Sequence, residues 1–136
     1  LDPYLVISVM KTESKFSPQA RSAKGALGLM QMMPDTGAWV ADQLDISDYK
    51  TSRLLDADLN IRFGVWYLAS LNREFKGNEV LMLAAYNAGR GNVKEWAQQY
   101  RWTEEFHQIE QIPFQETREY VRKVLRDREQ YRSLYR

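Results

Sequence analysis

Asp2-Pro3-Tyr4-Leu5-Val6-Ile7-Ser8-Val9-Met10-Lys11-Thr12-Glu13-Ser14 is the stretch whose pattern decides the fold class. Asp2 has the short acceptor side chain of a helix N-cap. Pro3 follows at the first helical position, where its fixed φ suits the helix and its missing N–H costs nothing. Tyr4 to Ser14 then has helical periodicity. On a helix of about 3.6 residues per turn, Leu5, Val6, Val9 and Met10 share one side, with Ser8 and Lys11 opposite. Glu13, four residues after Val9 and three after Met10, projects within the same apolar arc. A carboxyl group at the end of an apolar stripe loses water from around its charged form. That raises its pKa and keeps it partly protonated near neutral pH, as a general acid requires. The ordinary alternative is a helix-end charge that leans back to water.

The helical reading extends outward from this stretch. Phe16 to Gly28 is a looser segment punctuated by Pro18, Gly25 and Gly28. A second helix is expected from Pro34 to near Leu44, then a polar loop from Asp45 to Ser52. A long helix follows from Asp56 to Phe75, with Leu59, Phe63, Trp66, Tyr67, Ser70 and Leu71 at three- and four-residue spacing. Gly77-Asn78 breaks it. Another helix runs from Glu79 to Asn87 and stops at Gly89, a C-terminal glycine. A short helix is expected from Asn92 to near Gln99. Arg101 to Gln111 is ambiguous. Pro113 opens a final helix reaching toward Leu134. No segment alternates with period two, so no strand is predicted. The expectation is one mainly α domain over residues 1–136, with about six to eight helices.

Composition narrows the chemistry. The 136 residues suffice for one core, and 44% hydrophobic with 27% charged residues reads as globular. A net charge of +1 argues against a nucleic-acid binder. With no cysteine, disulfides, thiol nucleophiles and thiolate metal sites are excluded together. The one histidine, His107, would have to serve any Ser-His-Asp triad, and a metal site would rest mostly on carboxylates. No metal and no cofactor are expected. No apolar run approaches the roughly 20 residues of a membrane span, and no signal peptide is visible. The chain starts at Leu1 rather than at methionine, which reads as a trimmed or processed product with room for a targeting segment upstream.

Three strings carry a resemblance. The first is Glu13-Ser14, then Pro18, Ala20 and Ser22, then Gly25-Ala26-Leu27-Gly28-Leu29-Met30-Gln31-Met32-Met33-Pro34. The second is Ala84-Ala85-Tyr86-Asn87-Ala88-Gly89, and the third is Ile112-Pro113-Phe114-Gln115-Glu116-Thr117-Arg118-Glu119-Tyr120-Val121. In order and spacing the set resembles the signature of soluble lytic transglycosylases, and three ordered motifs are more specific than any one.

The resemblance implies a lysozyme-like α-helical fold of the goose type, with a groove for peptidoglycan glycan strands. It implies that Glu13 protonates the bond between N-acetylmuramic acid and N-acetylglucosamine. The muramic C6 hydroxyl then attacks its own anomeric carbon and gives a 1,6-anhydro end, with no water consumed. It places Ser22, Gln31, Met33, Tyr86, Asn87, Glu116 and Tyr120 on the substrate. It also implies work in the cell envelope, whether periplasmic, secreted or membrane-tethered; a monomer is the default expectation, and there is room for flanking domains or an anchor in a longer protein.

Taken singly, these residues have plainer readings. Gln31 would be a surface amide, Ser22 a turn hydroxyl, Asn87 a C-cap, and Glu116 a solvated acid in a first turn. Met30, Met32 and Met33 would be core filler, and at least one of them is expected in the core. Glu116 is read as binding substrate or holding Arg118 or Tyr120. Trp66 reads as core, while Trp39, Trp96 and Trp102 are left open. His107 reads as structural or surface, and the basic final helix as a solvated face. The nearest rival is a goose-lysozyme-like hydrolase using water, for which Asp35 or Glu116 would supply the second carboxylate. A non-catalytic peptidoglycan-binding module is the rival of another class.

Overall fold

The computed structural model describes residues 1–135. Among them are six α-helices: α1 (Pro3–Ser14), α2 (Pro34–Gln43), α3 (Ala57–Glu74), α4 (Glu79–Ala88), α5 (Arg90–Gln99) and α6 (Gln115–Tyr135). Two short 3-10 turns, Thr51–Leu55 and Ile109–Gln111, lie between helices. Among the described residues no strand forms; only isolated bridges join Arg21 to Leu27 and Leu27 to Met32. The chain divides into two compact units, with the boundary between Tyr67 and Leu68, inside α3.

In the first unit, Asp2 caps α1 as its sequence suggests. Its Oδ1 accepts from the Tyr4 N–H at 2.9 Å, with Pro3 at the first helical position. The helix ends where Lys15 turns left-handed at φ 51°, its N–H donating to the Lys11 carbonyl. The buried face differs from the expected one. Leu5, Ser8 and Val9 are inside, while Val6 and Met10 are half-buried. Ser8 therefore belongs to the core side, not the opposite one. Its hydroxyl donates to the Tyr4 carbonyl at 2.8 Å, which makes a small polar side chain tolerable in an apolar setting.

Further along, α2, the Thr51–Leu55 turn and the first half of α3 enclose a core of Leu27, Met32, Val40, Leu54, Leu59 and Phe63. Trp39 and Trp66 meet edge to face at 5.5 Å on its margin. Asp56 starts α3 by accepting from the N–H groups of Asp58 and Leu59.

In the second unit, α4 packs against α5 and α6. Asn78 caps α4 by accepting from the Leu81 N–H at 3.0 Å. Its amide group also donates to the carbonyls of Glu104 and Phe106, at 2.8 and 2.7 Å. That pair of bonds fixes the segment around residues 101–111, whose local sequence is ambiguous. Gly89, at φ 95°, closes α4 and opens α5 in one residue. The second helix therefore starts at Arg90, two residues before Asn92. On α6, Arg128 is buried and donates to Glu79 of α4 at 2.6 Å. This pair ties the long, strongly charged helix to its neighbour.

Candidate active site

Glu13 lies in the last turn of α1, half-buried, just before the left-handed Lys15 and Phe16 end the helix. Two consecutive residues with positive φ, Lys15 at 51° and Phe16 at 64°, turn the chain out of the helix there.

The segment after α1 is knitted by its own backbone. Leu27 and Met32 exchange N–H and C=O bonds at 3.0 Å each, and Gly28 donates to the Ala20 carbonyl at 2.9 Å. Ser22 is exposed, and its Oγ accepts from the Ala26 N–H at 2.9 Å, so the turn-stabilising reading of this hydroxyl is fulfilled. The two glycines of this loop play different parts. Gly25, at φ 97°, has open space around it and serves a turn. Gly28, at φ 82°, is a close approach: a Cβ there would run into the Asn60 amide nitrogen and come within 2.5 Å of the Leu54 carbonyl.

Gln31 is half-buried and itself left-handed at φ 51°. Its Nε2 donates to the carbonyls of Gly28 at 2.8 Å and Ala20 at 3.1 Å, so its amide group braces the loop. The three methionines separate cleanly. Met30 and Met32 are core, at 0% and 2% exposure, while Met33 is 41% exposed.

Asn60 is a polar residue of this region that sequence reasoning did not find. It is fully buried in α3. Its Oδ1 accepts from the Met30 N–H at 2.7 Å, and its Nδ2 donates to the carbonyls of Leu27 at 2.9 Å and Leu54 at 2.7 Å. No local signal points to it, because its partners in the loop lie some 30 residues away.

The second and third sequence motifs meet in the second unit. Tyr86 and Asn87 are half-buried at the end of α4. The Thr117 hydroxyl of α6 donates to Asn87 Oδ1 at 2.8 Å, so Asn87 is held by a side chain of the third motif rather than acting only as a C-cap. Tyr120 is buried, one turn along α6 from the exposed Glu116. Arg118 donates to the Ile112 carbonyl at 2.6 Å and so braces the start of the helix instead of pairing with Glu116. Asp35 stands exposed in the first turn of α2. Trp96 is buried, and Trp102 stacks on Phe106 at 4.0 Å. His107 is at the surface, its ring 3.2 Å from the Glu105 carbonyl.

The described residues are mainly helical, with an acid in the last turn of the first helix and a glycine-containing loop after it, and the solved structures they match give this the lysozyme-like helical fold. Comparison with known proteins makes this specific. The family model described as the transglycosylase SLT domain matches residues 1–109. The soluble lytic murein transglycosylases of Salmonella typhimurium and Escherichia coli are each 37% identical over 121 residues, covering 88% of this chain. Membrane-bound lytic murein transglycosylase C of Serratia proteamaculans is 37% identical over 98 residues, 65% of this chain and 27% of its own length. Among solved structures, an inactive glutamate-to-glutamine mutant of the lytic transglycosylase Slt from Pseudomonas aeruginosa superimposes with a TM-score of 0.81 at 38% identity, over 94% of this chain and 21% of that one. The 70 kDa soluble lytic transglycosylase in complex with bulgecin A gives 0.87 at 34% identity, over 96% and 22%. The chain belongs to the transglycosylase SLT domain family. It spans about a fifth of the length of the soluble relatives named above, 19% of each.

Proposed function

We propose that residues 1–136 form the catalytic domain of a peptidoglycan lytic transglycosylase, and that Glu13 is its single acid and base. The observation that carries this is the Glu13 carboxyl, half-buried at the end of α1 in a chain of this family. The inactive glutamate-to-glutamine mutant among its structural relatives supports a carboxyl as the essential group in that protein.

The reaction needs one carboxyl used twice. Glu13 gives its proton to the oxygen leaving the muramic anomeric carbon, and the C1–O bond breaks. The muramic C6 hydroxyl oxygen then bonds to C1 and returns its proton to the Glu13 carboxylate. Atoms and protons balance without water, and the substrate supplies the nucleophile that two-carboxylate glycosidases supply from the protein or from water.

In the first unit, Ser22, Gln31 and Met33 are assigned to sugar contacts. The exposed Met33 thioether offers an apolar face, and the Gln31 Oε1 remains to accept from a sugar while its Nε2 holds the loop. In the second unit, Tyr86, Asn87, Glu116 and Tyr120 are assigned to the glycan. One copy of the domain suffices for the reaction as drawn. The relatives, named soluble in one group and membrane-bound in another, support a place of action at the cell wall. Among the described residues no helix is long and apolar enough to cross a membrane.

Three isosteric variants test the assignment of roles. Glu13→Gln should lower turnover of purified peptidoglycan by about 10²–10⁴-fold, the span of general acid–base catalysis. Asp35→Asn and Glu116→Gln should each keep catalysis, with Glu116→Gln raising KM. If either of the latter abolishes cleavage while Glu13→Gln retains it, the single-acid reading fails.

A further inference from the structure

We propose that Asn60 is a positioning residue for glycan binding: its buried carboxamide sets the Leu27–Met30 backbone and, through it, the place of Gln31. This rests on the functional reading above, in which Gln31 and Met33 touch the sugar. Asn60 itself touches neither substrate nor reacting atoms.

Three observations converge. First, the carboxamide uses both donors and an acceptor on backbone alone, at 2.7 to 2.9 Å, with the residue fully buried. An Asn in that setting is one of the few side chains able to satisfy an N–H and two carbonyls at once. Second, the loop is shaped around it. Gly28 is left-handed, and any side chain there would occupy the space of the Asn60 amide nitrogen, with Cγ only 2.8 Å away. Third, the connection continues to Gln31. The Gly28 carbonyl accepts from both the backbone N–H and the Nε2 of Gln31, at 3.1 and 2.8 Å. Movement of Leu27 or Gly28 therefore moves the Gln31 side chain, while Glu13 lies on a different element. The chain Asn60 to Leu27–Gly28 to Gln31 stays within the first unit.

The prediction is a split between KM and kcat. With soluble peptidoglycan strands, Asn60→Ser should raise KM on the order of tenfold and leave kcat within about threefold, measured well below its melting temperature. Gln31→Ala should raise KM similarly. Because both act on one element, the double variant should resemble either single one, a clear departure from additivity. Hydrogen exchange gives a readout independent of turnover: the Met30 amide should lose protection in Asn60→Ser far more than Leu83 or Val124 does. Multiplying KM effects, a fall in kcat alone, or an equal loss of protection throughout would overturn the proposal. If Asn60→Ser does not fold, Asn60→Asp, which keeps the Oδ1 acceptor of the Met30 N–H but loses the donors to the Leu27 and Leu54 carbonyls, takes its place under the kinetic criteria alone. A wild-type chain that binds strands without cleaving them would refute the catalytic reading; KM is then replaced by Kd, and the same non-additivity decides the role of Asn60.

Discussion

Gly64 lies within α3, where a glycine is a standing cost: replacing it with alanine in an unobstructed helix interior gains about 1 kcal/mol. The structure reverses that sign. A Cβ at residue 64 would overlap the Met30 sulfur and stand 2.8 Å from both Met30 Cβ and Cε. The sulfur and Cε are the mobile end of a side chain, but Cβ is fixed to the backbone, and Met30 is fully buried. Overpacking a core in this way costs about 1–3 kcal/mol. The net effect of Gly64→Ala is therefore a loss of about 0–2 kcal/mol. Gly91, in the first turn of α5, is the control: it is exposed, with nothing near its absent Cβ, and Gly91→Ala should be neutral or stabilising by about 0.5 kcal/mol. At about 3–5 °C per kcal/mol for a chain of this size, thermal unfolding resolves the two directions. Met30→Ala alone should cost about 2–5 kcal/mol, and less in the Gly64→Ala background, where the added methyl occupies part of the cavity. If Gly64→Ala is as stabilising as Gly91→Ala, or if the two costs simply add, the close packing of Met30 on α3 is wrong.

Asn78→Ala removes a helix cap and leaves two carbonyls without their donor, which should cost about 2–4 kcal/mol by urea unfolding and open Glu104 to Phe106 to hydrogen exchange before the rest of the chain. Burial raises the Tyr49 hydroxyl above its ordinary value of 10.0, against a smaller lowering by Thr51. An acid whose folded value is raised contributes fully below its unfolded value, and that contribution is lost as pH climbs past it. Wild type should therefore lose stability above about pH 10 faster than Tyr49→Phe, and parallel alkaline unfolding curves would contradict the burial of that hydroxyl.

The helices were legible where local chemistry decides them. The Asp2-Pro3 start, the periodic run of α3 and the stop at Gly89 act within a few residues, so the sequence shows them directly. The boundary of α5 was missed because one left-handed glycine does two jobs, while the Asn92 amide donates back to the Ala88 carbonyl instead of capping a helix of its own. Ser8 lies inside although its polarity suggests exposure, because a serine that bonds back one turn carries its partner with it. The segment near Phe106 has no local code, since a side chain 28 residues earlier holds it. The same holds for the candidate site. Glu13 was visible from its helix and its motif. Asn60 looked like any polar position on a long helix, and only the loop it braces reveals it.

The central claim is that the bond is cut without water, and the product shows this most directly. Purified peptidoglycan digested with this chain, then treated with borohydride and weighed by mass spectrometry, should give muropeptides ending in 1,6-anhydromuramic acid. Those ends have no free anomeric carbon and resist reduction. The same digest with Glu13→Gln should give about 10²–10⁴-fold less of them over the same time. Muramic ends heavier by one water, which borohydride reduces, would contradict the account and make the domain a hydrolase.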